Sequence, residues 1–273
     1  MTALPRSYLF VPGDRPERFA KAVASGADRV ILDLEDAVLP EAKDSAREAI
    51  RTWLADGGHA AIRINGLGTP WHADDLALAA SGASEIMLPK AEQGEALSAL
   101  VGSLPVPLIP LVETGQGILD ARWIASLPGV QRLAFGSVDF ANDVAVAPDD
   151  DWALYFARSA IVTASAAAGI AGPIDGVTLT LTDPKRLSAD CGLARRIGMA
   201  GKLCIHPTQV TAVNETFRPT PAEIDTARRI VAAANESGGR GGVRVDNKLV
   251  DKPIVDRAER LLAGLHEAPS DRR

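Results

Sequence analysis

Eight short, β-rich apolar runs recur along this chain, and longer segments rich in alanine and leucine separate them. The runs are residues 7–12, 29–34, 60–65, 85–90, 107–113, 132–139, 172–177 and 202–207. The intervening segments carry apolar residues at i, i+3 or i+4, which is the spacing of an amphipathic helix. Repeated strand and helix units of this kind predict a parallel sheet covered by helices.

The number of repeats favours a closed sheet. Strands that are buried on both faces read as continuous apolar runs, and eight of them alternating with helices are typical of a TIM (β/α)8 barrel. A doubly wound open sheet is the main competing architecture, but no glycine-rich dinucleotide fingerprint follows the first run. We therefore predict an α/β protein with a barrel over residues 1–215 and a C-terminal helical extension over residues 216–273.

Charge and apolar content exclude several classes of partner. The net charge is -6 and the basic residues are dispersed among acidic ones, so we expect no nucleic-acid partner. The longest apolar stretches fall short of the roughly 18 residues of a membrane span, and the N-terminus is unlike a signal peptide. We expect a cytoplasmic protein with no membrane partner. Cys191 and Cys204 form no closely spaced zinc-ligand pair, which fits a reducing compartment.

Polar side chains close several of the apolar runs. The carboxyl ends of the strands in such a barrel point to one face, where active sites are built. The polar residues at these run ends are Asn65, Lys90, Glu113, Asp139, Asp175 and His206. The sequence therefore predicts a polar site at this end of the barrel.

Glu113 and Asp139 close the fifth and sixth runs, so neighbouring strands about 4.8 Å apart would bring their carboxylates to one cation. Magnesium suits two carboxylates, because it keeps its other positions for water and substrate oxygens. The alternative is that each acid is solvated or paired with Arg63 or Lys90, since structural ion pairs also place carboxylates at strand ends.

Arg63 lies in the run "IRIN" and needs an anionic partner, because a buried unpaired guanidinium is costly. Glu35 and Asp36 could form a plain salt bridge with it, or a substrate carboxylate or enolate could be its partner. His206 could act as an acid or base, or it could be a hydrogen-bonded packing residue.

Several longer motifs occur in a fixed order: "RSYLFVPGDRPERFAKA", "ILDLEDAV", "IRINGLGTPW", "IMLPKAE", "LVETGQGI", "FGSVDFANDV", "GKLCIHPTQV" and "LVDKP". In this order they resemble the CitE-like group of the HpcH/HpaI aldolase superfamily, which includes the citrate lyase β-subunit and the malyl-CoA and citramalyl-CoA lyases. The resemblance implies a TIM barrel that assembles as a homotrimer or hexamer. It also implies magnesium, with manganese as a substitute, and chemistry at a carbon-carbon bond next to a thioester.

The same resemblance implies roles for individual residues. Glu113 and Asp139 would hold the metal, and Arg63 would handle the substrate. The residues implied to contact coenzyme A, as part of the substrate, are Phe10, Arg15, Lys21, Ile174 and Asp175.

Two further interpretations concern residues around the metal. Gly136 would let backbone amides approach a bound keto acid, or it would serve turn geometry alone. Glu35 and Asp36 would orient Arg63 or metal-bound water.

The C-terminal "LVDKP" resembles the segment that brings a catalytic aspartate over a neighbouring subunit's site. Asp251 is therefore the acid/base candidate, and the extension is expected to pack on a neighbouring subunit. The alternative is that Asp251 caps the following helix, since aspartate before Lys-Pro is ordinary capping chemistry.

The function implied is a retro-Claisen cleavage of a short 3-hydroxyacyl-CoA, such as malyl-, citramalyl- or citryl-CoA, to acetyl-CoA and a keto acid. Two alternatives remain open at this point. The chain could be a citrate lyase β-subunit that acts on a citryl thioester of an acyl-carrier partner. It could also be a catalytically silent barrel that binds a keto acid and a metal.

Overall fold

Eight parallel strands form the centre of the molecule. The computed structural model describes residues 4–237 and 242–266. Strands β1 to β8 are Ser7–Pro12, Arg29–Asp33, Ala61–Arg63, Glu85–Leu88, Leu108–Val112, Ala134–Phe135, Ile174–Asp175 and Gly201–Cys204. They pair in chain order, and β1 also pairs with β8, so the sheet is a closed barrel. The predicted TIM barrel is confirmed, and the open sheet is excluded.

A helix follows every strand. Helices α1 to α9 are Phe19–Ala24, Lys43–Ala55, His72–Ala80, Glu95–Ser103, Gly115–Ala125, Ser137–Asp143, Tyr155–Ala168, Pro184–Ile197 and Val210–Thr216. Short 3-10 turns at Pro16–Arg18, Pro40–Ala42 and Pro207–Gln209 begin with proline, whose fixed φ suits the first helical position.

Strand alternation divides the apolar core into two layers. Tyr8, Ile31 and Met87 lie in the cluster that fills the barrel, whereas Leu9 and Leu32 lie in the cluster between barrel and helices. Successive side chains of a strand point to opposite faces, so a strand needs apolar residues at every position to fill both layers. This requirement explains why the strands read as continuous apolar runs.

The sixth and seventh strands are shorter than the sequence predicts. Strand β6 ends at Phe135, and Asp139 lies in the first turn of α6 instead of closing the strand. The Gly136 amide still donates to the Val112 carbonyl at 3.0 Å, so the chain leaves the sheet just after this bond. The expectation that Asp139 ends a strand was therefore wrong, although it stays near the same end of the barrel.

Residue contacts separate a barrel unit, Pro5–Phe217, from a second unit that begins at Arg218. Within the second unit, helix α10, Pro221–Glu236, starts with a capping box in which Thr220 and Glu223 satisfy each other's amides. Strands β9, Val243–Val245, and β10, Lys248–Val250, form an antiparallel hairpin, and helix α11, Lys252–His266, packs against α10. The proposed packing of this unit on a neighbouring subunit stays a prediction.

Across residues 4–237 and 242–266, none of the helices is both long and apolar enough to cross a bilayer.

Candidate active site

A cavity of about 360 Å³ opens at the carboxyl ends of the barrel strands. We call it the mouth cavity. Its polar lining consists of Asp33, Asp36, Arg63, Glu113, Ser137 and Asp139. Its apolar lining includes Phe10, Leu111, Phe135, Val138, Val177, Leu203 and Ile205. The mouth cavity therefore combines a charged side with an apolar wall, which is typical of a small-molecule site.

Arg63, the last residue of β3, is held in one orientation by carboxylates. Its Nε and Nη2 donate to the two oxygens of Asp33 at 2.6 and 2.7 Å, and Nη1 lies 2.8 Å from Glu35 Oε2. Burial alone lowers the pKa of Arg63, but the charges of Asp33 and Glu35 outweigh it, so the pKa is raised. The guanidinium is thus permanently charged, and its carboxylate partners fix it in the lining of the mouth cavity.

Asp33 lines the mouth cavity and was not among the site residues that the sequence predicted. It ends β2, and the register pairs it directly with Arg63 on β3. Its own carboxylate is fixed by the amides of Glu35 and Ala37, at 3.0 and 3.1 Å. The signal for it was present, because a carboxylate as the last residue of an apolar strand needs a partner at the strand ends.

Glu35 and Asp36 were both predicted to support Arg63, and the structure places them differently. Glu35 is buried and lies between Arg63 and Lys90, whose Nζ donates to Glu35 Oε1 at 3.2 Å. Asp36 is 60% exposed, and its carboxylate is 4.0 Å from Arg63 Nη1. Glu35 therefore makes the close contact, and Asp36 contributes mainly its charge.

Glu113 follows β5 and is 2% exposed. Burial raises the pKa of Glu113 to about 8, and the neighbouring carboxylates of Glu35 and Asp139 add to the rise. The Lys90 amide, which donates to Glu113 Oε1 at 2.8 Å, and the charge of Arg63 act in the opposite direction. A carboxylate in this position is short of positive charge, and a cation would relieve that shortage.

Asp139 reaches the same region from the first turn of α6, where it is half-buried. The close approach of α6 to Glu113 depends on Gly136, since a Cβ at this position would overlap Glu113 Cβ and Oε2. Among the described residues there is no group of three or more His, Cys, Asp or Glu side chains that could hold a metal ion. Two carboxylates nevertheless match magnesium, which keeps several positions for water and substrate oxygens.

Ile174 and Asp175 do not line the mouth cavity, contrary to the predicted contact with acyl-CoA. Both side chains are fully buried, and Asp175 accepts from Arg158 Nε and Lys202 Nζ at 2.9 Å each. Burial alone raises the pKa of Asp175, but Lys202 and Arg158 outweigh it and hold the pKa below its usual range. Asp175 is thus an enclosed carboxylate with two cationic partners, and the placement of Ile174 and Asp175 near the acyl-CoA stays a prediction.

The other residues predicted to contact coenzyme A lie in β1 and in the segment that follows it. Arg15 and Lys21 are exposed, and Arg15 lies 3.8 Å from Asp14. The Phe10 ring stacks under Arg63, with the guanidinium carbon 4.8 Å from the ring centroid. Exposed cationic side chains, Arg15 and Lys21 among them, therefore follow the first strand of the barrel.

His206 and Asn65 take structural roles. The His206 ring accepts from the Thr208 amide at the start of a 3-10 turn, and the Asn65 amide group donates to Asp75 at 2.6 Å. The His206 side chain is exposed and hydrogen-bonded to Thr208, so it is not a packing residue, and its acid or base role stays a prediction.

Asp251 precedes α11 and is exposed. Its backbone carbonyl accepts from the amides of Ile254 and Val255, each at 3.1 Å. Its carboxylate has no hydrogen-bond partner within the part of the chain that is described. The side-chain cap that competed with a catalytic role is thus not formed, and the catalytic role itself stays a prediction.

The family of this chain is shown by its similarity to known proteins. Residues 6–207 match the model of a family described as HpcH/HpaI aldolase/citrate lyase. The chain belongs to this family. A citrate lyase subunit beta-like protein of Deinococcus radiodurans is 38% identical over 283 residues, covering 97% of this chain and 98% of the relative. The predicted resemblance to the CitE-like group is confirmed, and family membership supports a lyase-type enzyme.

Two further relatives of this family member bear on its chemistry. A (3S)-malyl-CoA thioesterase of Cereibacter sphaeroides is 36% identical over 266 residues, covering 94% of this chain and 93% of the relative. The crystal structure of CitE from Mycobacterium tuberculosis in complex with magnesium, acetoacetate and coenzyme A has a TM-score of 0.80 and 35% identity. It covers 97% of this chain and 99% of that one.

Proposed function

We propose that this protein is a magnesium-dependent acyl-CoA lyase that cleaves or forms the carbon-carbon bond of a short 3-hydroxyacyl-CoA. The products of cleavage are acetyl-CoA and a keto acid. One observation carries the proposal: the rigid cation of Arg63 and the two carboxylates of Glu113 and Asp139 line the same cavity. A similar structure, CitE of M. tuberculosis, binds magnesium, acetoacetate and coenzyme A, which supports this function.

Glu113 and Asp139 would hold the magnesium ion. The donor set fits, because burial and nearby carboxylates raise the pKa of Glu113 to about 8, and a divalent cation would restore its ionised form. When bound, the metal supplies Lewis acidity to the hydroxyl and carboxylate oxygens of the substrate. Manganese would serve in its place.

The protein's own groups would move the proton and the charge. Asp251 would take the proton of the substrate hydroxyl. As the carbon-carbon bond breaks, the hydroxyl carbon becomes a keto carbon, and the electron pair passes to the acetyl-CoA enolate, which is then protonated. Arg63 would supply fixed positive charge to the enolate oxygen, a contribution that preorganised charges make most effectively.

Asp251 would act in the site of a neighbouring subunit, which requires an oligomer, and the assembly we propose is a homotrimer or hexamer. Sedimentation of the purified protein tests the assembly. Mixing inactive Asp251→Asn chains with inactive Glu113→Gln chains tests the shared site, because mixed oligomers would regain activity only if the two residues come from different subunits.

The cationic residues after β1 support a role for coenzyme A. Arg15 and Lys21 are exposed and carry charges opposite to those of coenzyme A phosphates. The same residues would also attract the phosphopantetheine of an acyl-carrier partner, so the carrier-bound citryl thioester remains the alternative substrate.

The lining of the mouth cavity favours a keto acid with a short apolar substituent. Four carboxylates and one guanidinium line it, and that guanidinium is already paired with Asp33 and Glu35. A second substrate carboxylate, as in citryl-CoA, would face this excess of negative charge or the apolar wall, which costs free energy. Malyl- or citramalyl-CoA, with one free carboxylate, would avoid the penalty.

The test is the incubation of purified protein with malyl-, citramalyl-, 3-hydroxy-3-methylglutaryl- and citryl-CoA, with magnesium and with EDTA. Acetyl-CoA and free coenzyme A are measured separately. Magnesium-dependent acetyl-CoA from a monocarboxylate substrate is the expected result. Free coenzyme A without acetyl-CoA would instead indicate the thioesterase reaction named for the C. sphaeroides relative.

Absence of turnover with all four thioesters would contradict the proposal. The same protein is then tested with a citryl thioester of an acyl carrier. Turnover there would indicate a citrate lyase β-subunit, and keto-acid binding without any turnover would indicate a silent barrel.

A further inference from the structure

Lys90 has an unusual backbone for a lysine. It follows β4 with φ of 50°, in the left-handed region that favours glycine and asparagine. The next residue, Ala91, still donates its amide to the Leu111 carbonyl of β5 at 3.1 Å. The chain therefore makes the turn at Lys90 while it stays hydrogen-bonded to β5. Lysine disfavours this conformation, and residues held in disfavoured backbone regions often lie at functional sites.

The left-handed turn directs the Lys90 amide at Glu113. The amide donates to Glu113 Oε1 at 2.8 Å. The other oxygen, Oε2, lies against Gly136, at the start of the helix that carries Asp139. One oxygen is thus fixed by the backbone, and the other is directed toward the side where the second carboxylate lies.

The side chain of Lys90 runs to the other half of the site. Its Nζ donates to Glu35 Oε1 at 3.2 Å, and Glu35 Oε2 lies 2.8 Å from Arg63 Nη1. Lys90 is therefore connected to Glu113 through its amide and to Arg63 through Glu35. A partly exposed ion pair of this kind adds little to the stability of the fold, so we look for its role in the arrangement of the site.

We propose that Lys90 is a positioning residue that orients Glu113 through its left-handed backbone and Arg63 through its ammonium group. This inference rests on the proposed function, because it takes Glu113 as a metal ligand. Lys90 touches neither the metal nor the substrate in this assignment. Groups that orient metal ligands typically change metal affinity or activity by about 10- to 100-fold when removed.

The two roles separate by substitution. Lys90→Asn removes the ammonium group but tolerates the left-handed backbone, whereas Lys90→Val removes the ammonium group and disfavours that backbone. Lys90→Ala also removes the ammonium group, and alanine is intermediate between asparagine and valine in its tolerance of the left-handed backbone. It replaces Lys90→Val in the comparison if that variant does not fold. Lys90→Arg keeps the charge and serves as the conservative variant.

The first readout is the Mn²⁺ dissociation constant of the substrate-free protein, from electron paramagnetic resonance. We expect Lys90→Asn to bind Mn²⁺ within about threefold of wild type and Lys90→Val to bind it at least about tenfold more weakly, with Lys90→Ala between them. Equal affinities for Lys90→Asn and Lys90→Val would overturn the backbone role.

The second readout is kcat. Lys90→Asn should lose about tenfold in kcat at saturating Mn²⁺, and Lys90→Arg should recover most of it. A wild-type kcat in Lys90→Asn would overturn the side-chain role.

Two controls separate this inference from other causes. Gly169, at the end of α7, has φ of 69° and open space where a Cβ would lie, so Gly169→Val introduces similar backbone strain away from the mouth cavity. It should lower the melting temperature and leave Mn²⁺ affinity unchanged; a matching loss of affinity would assign the Lys90→Val result to general strain. Glu113→Gln should abolish Mn²⁺ binding, and if it does not, the proposed metal site fails irrespective of Lys90.

Discussion

Two clusters of charged side chains lie where barrel strands end, and they differ in charge balance. The mouth cluster consists of Asp33, Glu35, Arg63, Lys90 and Glu113. It contains three carboxylates and two cations, and the pKa of Glu113 is raised to about 8 by burial and by the nearby carboxylates. The two cations of the cluster therefore do not supply enough positive charge to keep Glu113 ionised.

The buried cluster consists of Arg158, Asp175 and Lys202. Here one carboxylate has two cationic partners at 2.9 Å, and these partners hold the pKa of Asp175 below its usual range despite its burial. Glu113 and Asp175 occupy similar places in the fold, because Asp175 ends β7 and Glu113 directly follows β5. The balance of neighbouring charges, not the position at a strand end, separates a candidate metal ligand from a structural ion pair.

The largest expected effect is on stability. Asp175→Ala leaves the buried Lys202 without its carboxylate partner and leaves Arg158 with Asp151 alone, which should lower the free energy of unfolding by about 3–5 kcal/mol. Asp139→Ala, in the mouth cavity, should leave stability nearly unchanged and abolish Mn²⁺ binding. Urea denaturation measures the first effect, and equal losses in the two variants would break the contrast between the clusters.

A pair of Arg→Lys substitutions tests the same contrast in activity. Arg63→Lys loses the planar fork that binds Asp33, so kcat/KM should fall by about 10²- to 10³-fold. Arg158→Lys should mainly reduce stability, with the activity of the folded fraction retained. Steady-state kinetics with matched denaturation curves decides the question, and a near-normal rate for Arg63→Lys would remove Arg63 from the mechanism.

The pH dependence of stability should have opposite signs in the two clusters. In EDTA, folding raises the pKa of Glu113 from 4.5 to about 8, so between these values the folded state holds a proton that the unfolded state has released. Stability from this group is fully present below pH 4.5 and is lost as the pH rises toward 8, by at most about 1.4 kcal/mol per pH unit.

Asp175 contributes in the other direction. Because its folded pKa is lowered, its contribution is present above the unfolded value of 3.8 and is lost as the pH falls below it.

Denaturation of wild type and Glu113→Gln across pH 4 to 8 measures the contribution of Glu113, as the difference between their free energies of unfolding at each pH. The two curves should converge at low pH, and parallel curves would contradict the raised pKa of Glu113.

The smallest expected effect concerns Asp36. Its carboxylate is 60% exposed and 4.0 Å from Arg63, so Asp36→Asn should change kcat less than about threefold. Glu35→Gln, which weakens contacts with Arg63 and Lys90, should lower kcat about tenfold. Steady-state kinetics of the two variants tests whether Asp36 lies outside the mouth cluster. A larger effect for Asp36→Asn than for Glu35→Gln would show that Asp36 belongs to the cluster.

Much of the fold was predictable, because a strand buried on both faces appears in the sequence as a short continuous apolar run. Each of the eight apolar runs contains a strand, since a strand between barrel interior and helices needs apolar residues on both faces. The weak points were the runs 132–139 and 172–177, whose strands are only two residues long. The first run continues past its strand into helix α6 and the second into the loop after β7, and periodicity does not mark where each strand ends.

The sequence by itself determined the number and order of the strands, and it marked Arg63 and Glu113 as polar residues at their ends. Only the tertiary structure decided which charges neutralise which. Arg63 meets Asp33 from 30 residues away, and Lys202 meets Asp175 from 27 residues away. Such pairings depend on strand register and on depth within the barrel. These two quantities fix how many counter-charges each carboxylate receives, and hence its pKa.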